Sequence, residues 1–271
     1  MSRLKLKRVL VTGAARGLGR EIAEQAADKG AELVITDIQE ELLAETREAI
    51  AAKGVRCRAY TLDVTDHKAI LATREQIHRD LGPIDILVNN AGVVFGGSFL
   101  DVPIEQHQLT YRVNVEGVVS MTHAFLPDIQ ESPGGHVTFI ASASGFVGLP
   151  NGATYASSKW AVIGFAESLR AELKHYRRKN VHVTTVCPTY IATGMFEGAT
   201  PPKTAPMLDP KDIAGKVIEA VEKNRVWVLE PWIVKITPLL KHGLPTPVSD
   251  FLSDAFGASK SMDSWSGHGT H

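Results

Sequence analysis

A tyrosine and a lysine stand four residues apart in NGATYASSKW, residues 151–160. On a helix, positions i and i+4 share a face, so Tyr155 and Lys159 would be neighbours. A free phenol titrates near pH 10, too high for a base at neutral pH. A cation beside it favours the phenolate and brings it into the range of useful proton transfer. The pair could equally be an ordinary surface contact. Tyr111, Tyr176 and Tyr190 have no lysine at that offset and draw no catalytic assignment.

A second cluster is suited to an anion. VTGAARGLGRE follows a short β-branched run and opens a helical stretch. Gly13, Gly17 and Gly19 let the backbone turn sharply and approach a phosphate, and Arg16 and Leu18 lie in the same loop. Free N–H groups at a helix start then favour negative charge. Asp37 ends the next strand-like run, about twenty residues on, where a carboxylate can accept from both ribose hydroxyls of NAD. It would repel the 2′-phosphate of NADP. Arg16 works the other way, because a guanidinium can pair with that phosphate. NAD is the expected cofactor, with NADP less favoured. Glycines for a tight turn beside a surface acid are the plain alternative.

The elements that must position these groups alternate. RVLVT (8–12), ELVITD (32–37), RCRAYT (56–61) and DILVNN (85–90) read as strands, separated by helical stretches that each end at glycine. The pattern predicts one long helix near 105–130, a strand at 136–141 and a helix from about 153 to 178. A strand at 181–187, a helix near 211–224 and a strand at 225–229 follow. This alternation implies an α/β protein, a doubly wound parallel β-sheet flanked by helices. Nothing splits the chain, so residues 1–271 read as a single domain. GATPPKTAPMLDP (198–210) reads as a loop, a candidate lid. Residues 231–271 form a C-terminal extension rich in apolar side chains. It reads as a helix packed on the domain or on a subunit partner, or as a flap over a lipophilic site or a weak membrane contact. Its last residues, SWSGHGTH, read as a frayed end, and His268 and His271 are not assigned to metal.

The totals narrow the classes. The 271 residues are 44% hydrophobic, enough for a sizeable core, and the formal net charge is −1. That balance gives no reason to expect nucleic acid as a partner. Cys57 and Cys187 lack metal-ligand spacing and read as buried thiols of a reducing compartment. His107, His123 and His136 are scattered, so no metal site is expected. The N-terminal apolar run is only VLV, and no run of about 18 apolar residues occurs, which argues against a signal peptide or transmembrane segment. A cytoplasmic protein is the expectation.

Taken in order, further segments complete a known pattern. T-G-x-x-x-G-x-G spans Thr12 to Gly19, LDV spans 62–64, NNAG spans 89–92, and Asn114 sits in VNVEG. Ser142 lies thirteen residues before Tyr155, and Y-x-x-x-K closes the set. Over about residues 7–230 the chain resembles the short-chain dehydrogenase/reductase family, whose fold is of the Rossmann type. The resemblance implies a catalytic set of Asn114, Ser142, Tyr155 and Lys159. It places Asp63 and Val64 at the adenine and makes Asn90, Ala91 and Gly92 part of the cofactor site. Pro188, Ile191 and Thr193 would hold the nicotinamide end, and Lys159 the ribose. Ser142 would hydrogen-bond the substrate oxygen, and Asn114 would hold a water linking Lys159 to solvent. Ser144 is left as structural. Relatives in this family are dimers or tetramers through the Tyr155 helix and its neighbour, so a homodimer or homotetramer is implied. One departure stands out: Thr189 follows Pro188 where the family commonly has glycine, narrowing the space at the nicotinamide or the substrate. TGMF and the tail resemble, more weakly, the branch with retinol and 17β-hydroxysteroid dehydrogenases.

The segments expected to line the substrate space supply Val94, Phe95, Phe146, Leu149, Tyr190, Met195 and Phe196, with Ser142. No lysine or arginine in them could bind a carboxylate or phosphate. The expected substrate is a neutral lipophilic alcohol or its carbonyl: steroid, retinoid, aryl or long-chain. The reaction is hydride transfer on a CH–OH group with Tyr155 as acid and base. An NADPH-dependent ketone or 3-ketoacyl reductase is the alternative, and a nicotinamide-binding regulator without turnover is the remote one.

Overall fold

The computed structural model describes residues 3–202, 204–255 and 260–267. The seven predicted strands all form: β1 Arg8–Thr12, β2 Glu32–Asp37, β3 Cys57–Thr61, β4 Ile86–Asn89, β5 Gly135–Ile140, β6 Val181–Pro188 and β7 Trp227–Glu230. They pair in parallel in the order β3-β2-β1-β4-β5-β6-β7. The order reverses between β1 and β4, and ligands of such sheets bind beyond the carboxyl ends of the strands at that switch point.

Successive strand residues face opposite sides. Val9, Val11, Leu33 and Ile35 join one buried cluster with side chains of α1 Gly17–Asp28, α2 Glu40–Ala51 and α7 Pro210–Glu222. Leu10, Val34 and Leu87 join another with α3 His67–Asp80, α5 Val118–Glu131 and α6 Ala153–His175. Both faces of the sheet are therefore covered, which is why the strands read as near-continuous apolar runs. Asp66 caps α3 through the backbone N–H groups of Lys68 and Ala69, and Asp209 caps α7 through that of Lys211. Cys57 and Cys187 are buried and unpaired with each other.

The one long helix expected near 105–130 forms as an unbroken helical run with a π-turn inside it. It comprises α4 Ile104–Tyr111, a π-turn over Arg112–Gly117, and α5. A π-turn admits one extra residue and so rotates the side chains that follow. It carries Asn114 inward, fully buried. Gly117 allows the turn its close approach to the β3–α3 loop, since a Cβ there would lie 2.8 Å from Val64. The extension forms α8 Ile233–Gly243 and α9 Thr246–Ala255. Val234 anchors α8 in the second cluster, while Trp232, Leu239 and Phe251 are exposed. Among the described residues no helix is long and apolar enough to cross a membrane. His268 and His271 lie outside the described residues.

Candidate active site

A crevice of about 750 Å³ opens at the carboxyl ends of the central strands. Its nearer wall is the β1–α1 loop. Gly13 has a positive φ of 65°, and a Cβ there would sit 2.8 Å from Ala91 Cα. At Gly19 a Cβ would fall 2.1 Å from the Gly13 carbonyl oxygen, so only glycine permits this winding. Asn90 staples the loop: its Nδ2 donates to the carbonyls of Thr12 and Gly13, both at 2.9 Å. The backbone N–H groups of Asn90 and Ala91 both donate to Thr12 Oγ1. Helix α1 starts there with no side-chain cap, leaving first-turn N–H groups for another acceptor. Asp37 Oδ2 accepts from Ala15 N and Oδ1 from Gln39 N, both at 3.0 Å. Each carboxylate oxygen keeps a second lone pair for a ligand hydroxyl. Arg16 is exposed at the rim of the same loop.

Asp37 and the Ser142 turn follow β2 and β5, which are three strand spacings apart, roughly 14 Å. One long ligand is needed to bridge them. All the residues expected at a nicotinamide dinucleotide line the crevice: Gly13, Arg16, Gly17, Leu18, Gly19, Asp37, Asp63, Val64, Asn90, Ala91, Gly92, Tyr155, Lys159, Pro188, Ile191 and Thr193. The uncapped helix start, the glycine cradle and the spare acceptors of Asp37 fit that group.

At the far end Ser142, Tyr155 and Lys159 come together, all buried. Lys159 Nζ donates to the Ile140 carbonyl at 2.9 Å and lies 5.7 Å from the centre of the Tyr155 ring. Burial dominates the acidity of both groups in the protein alone. Burial raises the Tyr155 phenol above its ordinary value, with Ser142 hydrogen bonding opposing the rise and Tyr190 adding to it. Burial also lowers Lys159 to about 8, against a small upward pull from Cys187. Desolvation penalises both charged forms.

Asn114 does not reach the crevice. Its Oδ1 accepts from Val93 N at 2.8 Å, and its Nδ2 donates to Val93 O at 2.9 Å and Ser158 Oγ at 3.0 Å. Its side chain ties the Val93 backbone to Ser158 beside Lys159. Ser144 is not simply a loop hydroxyl either, because it bonds Ser142 Oγ directly.

Of the expected substrate residues, Val94, Phe95, Ser142, Met195 and Phe196 line the crevice, while Phe146, Leu149 and Tyr190 do not. Residues after β6 alternate in direction: Thr189 and Ile191 face the crevice, and Tyr190 points behind it. Tyr190 donates to Ser261 Oγ at 2.7 Å and packs edge-on against Phe196. Leu149 packs behind the wall with Tyr155 and Phe196, and Phe146 turns toward Trp227 in the second cluster. Thr189 Oγ1 is buried and finds no hydrogen-bond partner among the described residues.

Sequence reasoning missed Gln106, Leu109 and Val113, and Trp265 with Ser266 from the tail. Leu109 and Val113 are spaced i, i+4, a visible signal; for the tail, only a tryptophan in a polar segment gave a hint. Residues 260–267 fold over the apolar end. Trp265 Nε1 donates to the Met195 carbonyl at 3.1 Å, Asn151 Nδ2 to Asp263 at 2.9 Å, and Met262 is buried. A Cβ at Gly96 would lie 2.6 Å from Trp265, so that glycine lets the indole seat.

Comparison with known proteins agrees with this geometry. The family model for short chain dehydrogenases matches residues 7–204. Human epidermal retinol dehydrogenase 2 is 37% identical over 258 residues, 94% of this chain and 84% of that protein. Human 17-beta-hydroxysteroid dehydrogenase 13 is 30% identical over 245 residues, 90% of this chain and 81% of that protein. Among solved structures, a short chain dehydrogenase/reductase from Burkholderia phymatum in complex with NAD superposes with a TM-score of 0.81. It is 26% identical and covers 90% of this chain and 95% of its own.

Proposed function

The chain belongs to the short-chain dehydrogenase family of oxidoreductases, and from that premise we propose that it transfers a hydride between NAD and a neutral lipophilic alcohol or its carbonyl partner, with Tyr155 as general acid and base. The observation that carries the reading is one crevice with Asp37 beside the glycine loop, Ser142, Tyr155 and Lys159 at the other end, and an apolar wall beyond them. NAD, when bound, supplies the hydride acceptor and a positively charged ring near the phenol.

In oxidation, Tyr155 receives the hydroxyl proton of the alcohol as the carbon gives up its hydride. Ser142 donates to the same oxygen and holds the developing charge. Lys159, fixed on the Ile140 carbonyl, favours the phenolate that burial alone opposes. Asn114 acts as a positioning residue, locking Val93 and Ser158 on either side of this group.

The wall supports the substrate class. Val94, Phe95, Leu109, Val113, Met195, Phe196 and Trp265 are apolar, and Arg16 and Lys159 are the cations among the described lining residues. Neither stands in the apolar wall, so a charged substrate would lack a partner there. Relatives named for retinol and for 17β-hydroxysteroids point to the same chemistry. Arg16 at the loop rim supports a second reading, an NADPH-dependent ketone reductase. Tyr111, Val119 and Trp160 expose apolar surface on the Tyr155 helix and its neighbour. A homodimer or homotetramer through that face is part of the proposal, and a monomer by light scattering would remove it.

Initial rates of reduced-nicotinamide absorbance test the reading, with NAD and NADP run against all-trans-retinol, estradiol, benzyl alcohol and a long-chain alcohol. A preference for NAD with a lipophilic alcohol is expected. Tyr155→Phe should lose about 10²–10⁴-fold in turnover while still binding NADH. Undiminished turnover by that variant would overturn the mechanism, and a preference for NADP would favour the second reading.

A further inference from the structure

We propose that Ser144 is a positioning residue that obliges the Ser142 hydroxyl to act as a donor, aiming it at the reacting oxygen. The inference rests on the reading of Ser142 given above and adds a residue to it.

A hydroxyl has one proton to give and two lone pairs. Ser142 Oγ accepts from Ser144 N–H at 3.1 Å and from the Ser144 hydroxyl at 2.9 Å. Both lone pairs are then occupied, and by the same residue. What remains is the Ser142 proton. Its acceptors in the protein are the Pro188 carbonyl at 3.5 Å, the long limit of a hydrogen bond, and the Tyr155 phenol, whose acidity it favours. A proton held that weakly is available to an oxygen in the crevice.

The backbone builds this arrangement. Ser142 is extended, and a single 3-10 turn over Ala143–Gly145 brings Ser144 back over its side chain. Gly145 N closes the turn on the Ser142 carbonyl at 2.9 Å. A Cβ at Gly145 would lie 2.4 Å from Ile163 and 3.0 Å from the Lys159 carbonyl, so the turn is seated directly on α6. The donor pair is thus registered against the helix that carries Tyr155 and Lys159. Both serines are buried, and bulk water does not compete for their hydroxyls.

Two hydroxyls in series polarise each other. As negative charge builds on the reacting oxygen, Ser142 donates more strongly and draws more from Ser144. Removing the Ser144 hydroxyl frees one lone pair of Ser142, so its proton is no longer forced toward the crevice.

The test compares Ser144→Ala, Ser144→Thr, Ser142→Ala and the double alanine variant, each with NAD and the best alcohol of the panel. Ser144→Ala is expected to lower kcat about three- to tenfold in both directions. The alcohol KM and NADH Kd should move by less than about twofold, a split expected when an interaction is made mainly in the transition state. The acidic limb of the pH profile should move to higher pH, because a weaker Ser142 donor stabilises the phenolate less. Ser144→Thr should restore most of the rate, and Ser144→Ala should cost nothing further in the Ser142→Ala background. If Ser144→Ala fails to fold, Ser144→Cys, similar in size with a weak donor, takes its place with the same expectations. A kcat and pH profile within about twofold of the parent, or losses that multiply in the double variant, would overturn the proposal alone. Full activity in Ser142→Ala would overturn the functional reading and this inference with it.

Discussion

Asp37→Asn is the perturbation that most directly tests how the crevice chooses its cofactor. The carboxylate accepts one backbone N–H on each oxygen, and both oxygens retain capacity toward a ribose. A 2′-phosphate in contact with it would bring two like-charged groups within about 5 Å. Each unit pair at that distance costs about 0.8 kcal/mol in water and roughly 3 kcal/mol at an effective dielectric of 20. The phosphate carries nearly two charges, and Arg16 at the rim offsets part of the repulsion. The expected net discrimination against NADP is therefore about 1.5–4 kcal/mol, roughly ten- to a thousandfold. The asparagine removes the charge but keeps one acceptor. Catalytic efficiency with NADP should rise about tenfold or more, while that with NAD falls several-fold as charge-assisted bonds are lost. The assay is kcat/KM for both cofactors at two salt concentrations, with a melting curve to report any loosening of the glycine loop. Raised salt should narrow the parent's discrimination, because the site is only partly buried and its charges are screened. Arg16→Gln, placed on Asp37→Asn, should reverse part of the NADP gain. An unchanged cofactor ratio in Asp37→Asn would refute the electrostatic reasoning.

Other consequences follow from single contacts. Trp265→Ala removes the indole that the tail places on the crevice wall. The KM for a bulky alcohol should rise about tenfold, as expected for a deleted apolar anchor, with NADH binding unchanged; an unchanged KM would put the indole outside the substrate space. Asp128 is a buried carboxylate that accepts from Arg74 and pairs with His78 at 2.6 Å, tying α5 to α3. Asp128→Ala leaves Arg74 without that partner and should cost about 3–5 kcal/mol in a denaturant titration; a loss under about 1 kcal/mol would contradict it. His136 is buried, and desolvation, with the positive neighbours His182 and Arg3, lowers it to about 3. The unfolded chain binds this proton below its ordinary value near 6.5 and the folded chain does not. Its stabilising share is therefore complete above that pH and is lost as pH falls toward 3, by up to about 1.4 kcal/mol per pH unit. His136→Gln should flatten that part of the stability curve.

Much of the site was legible before any coordinates. Asp37 ends a strand, and the glycine loop joins a strand to a helix, so local geometry dictates where both must lie. Tyr155 and Lys159 share a helix face by periodicity alone. The five inner strands were visible because they are buried on both sides and read as largely apolar runs. Where the reading failed, direction was set by something local patterning does not carry. Tyr190 and Thr189 are adjacent, yet only the threonine faces the crevice, because the pleat leaving β6 decides which alternates point inward. The π-turn at 112–117 left no mark in the apolar spacing, and it carries Asn114 onto the backbone of Val93 rather than into the crevice.

By itself, then, the chain's sequence determined the sheet, the glycine loop and the shared helix face of Tyr155 and Lys159, since each depends on neighbours a few residues away. Only the tertiary structure decided their environment. It buried Tyr155 and Lys159 deeply enough to oppose the charges their spacing implies. It brought Trp265 across some seventy residues to close on Met195. Burial and side-chain direction are sums over contacts distant in sequence, and no short stretch contains them.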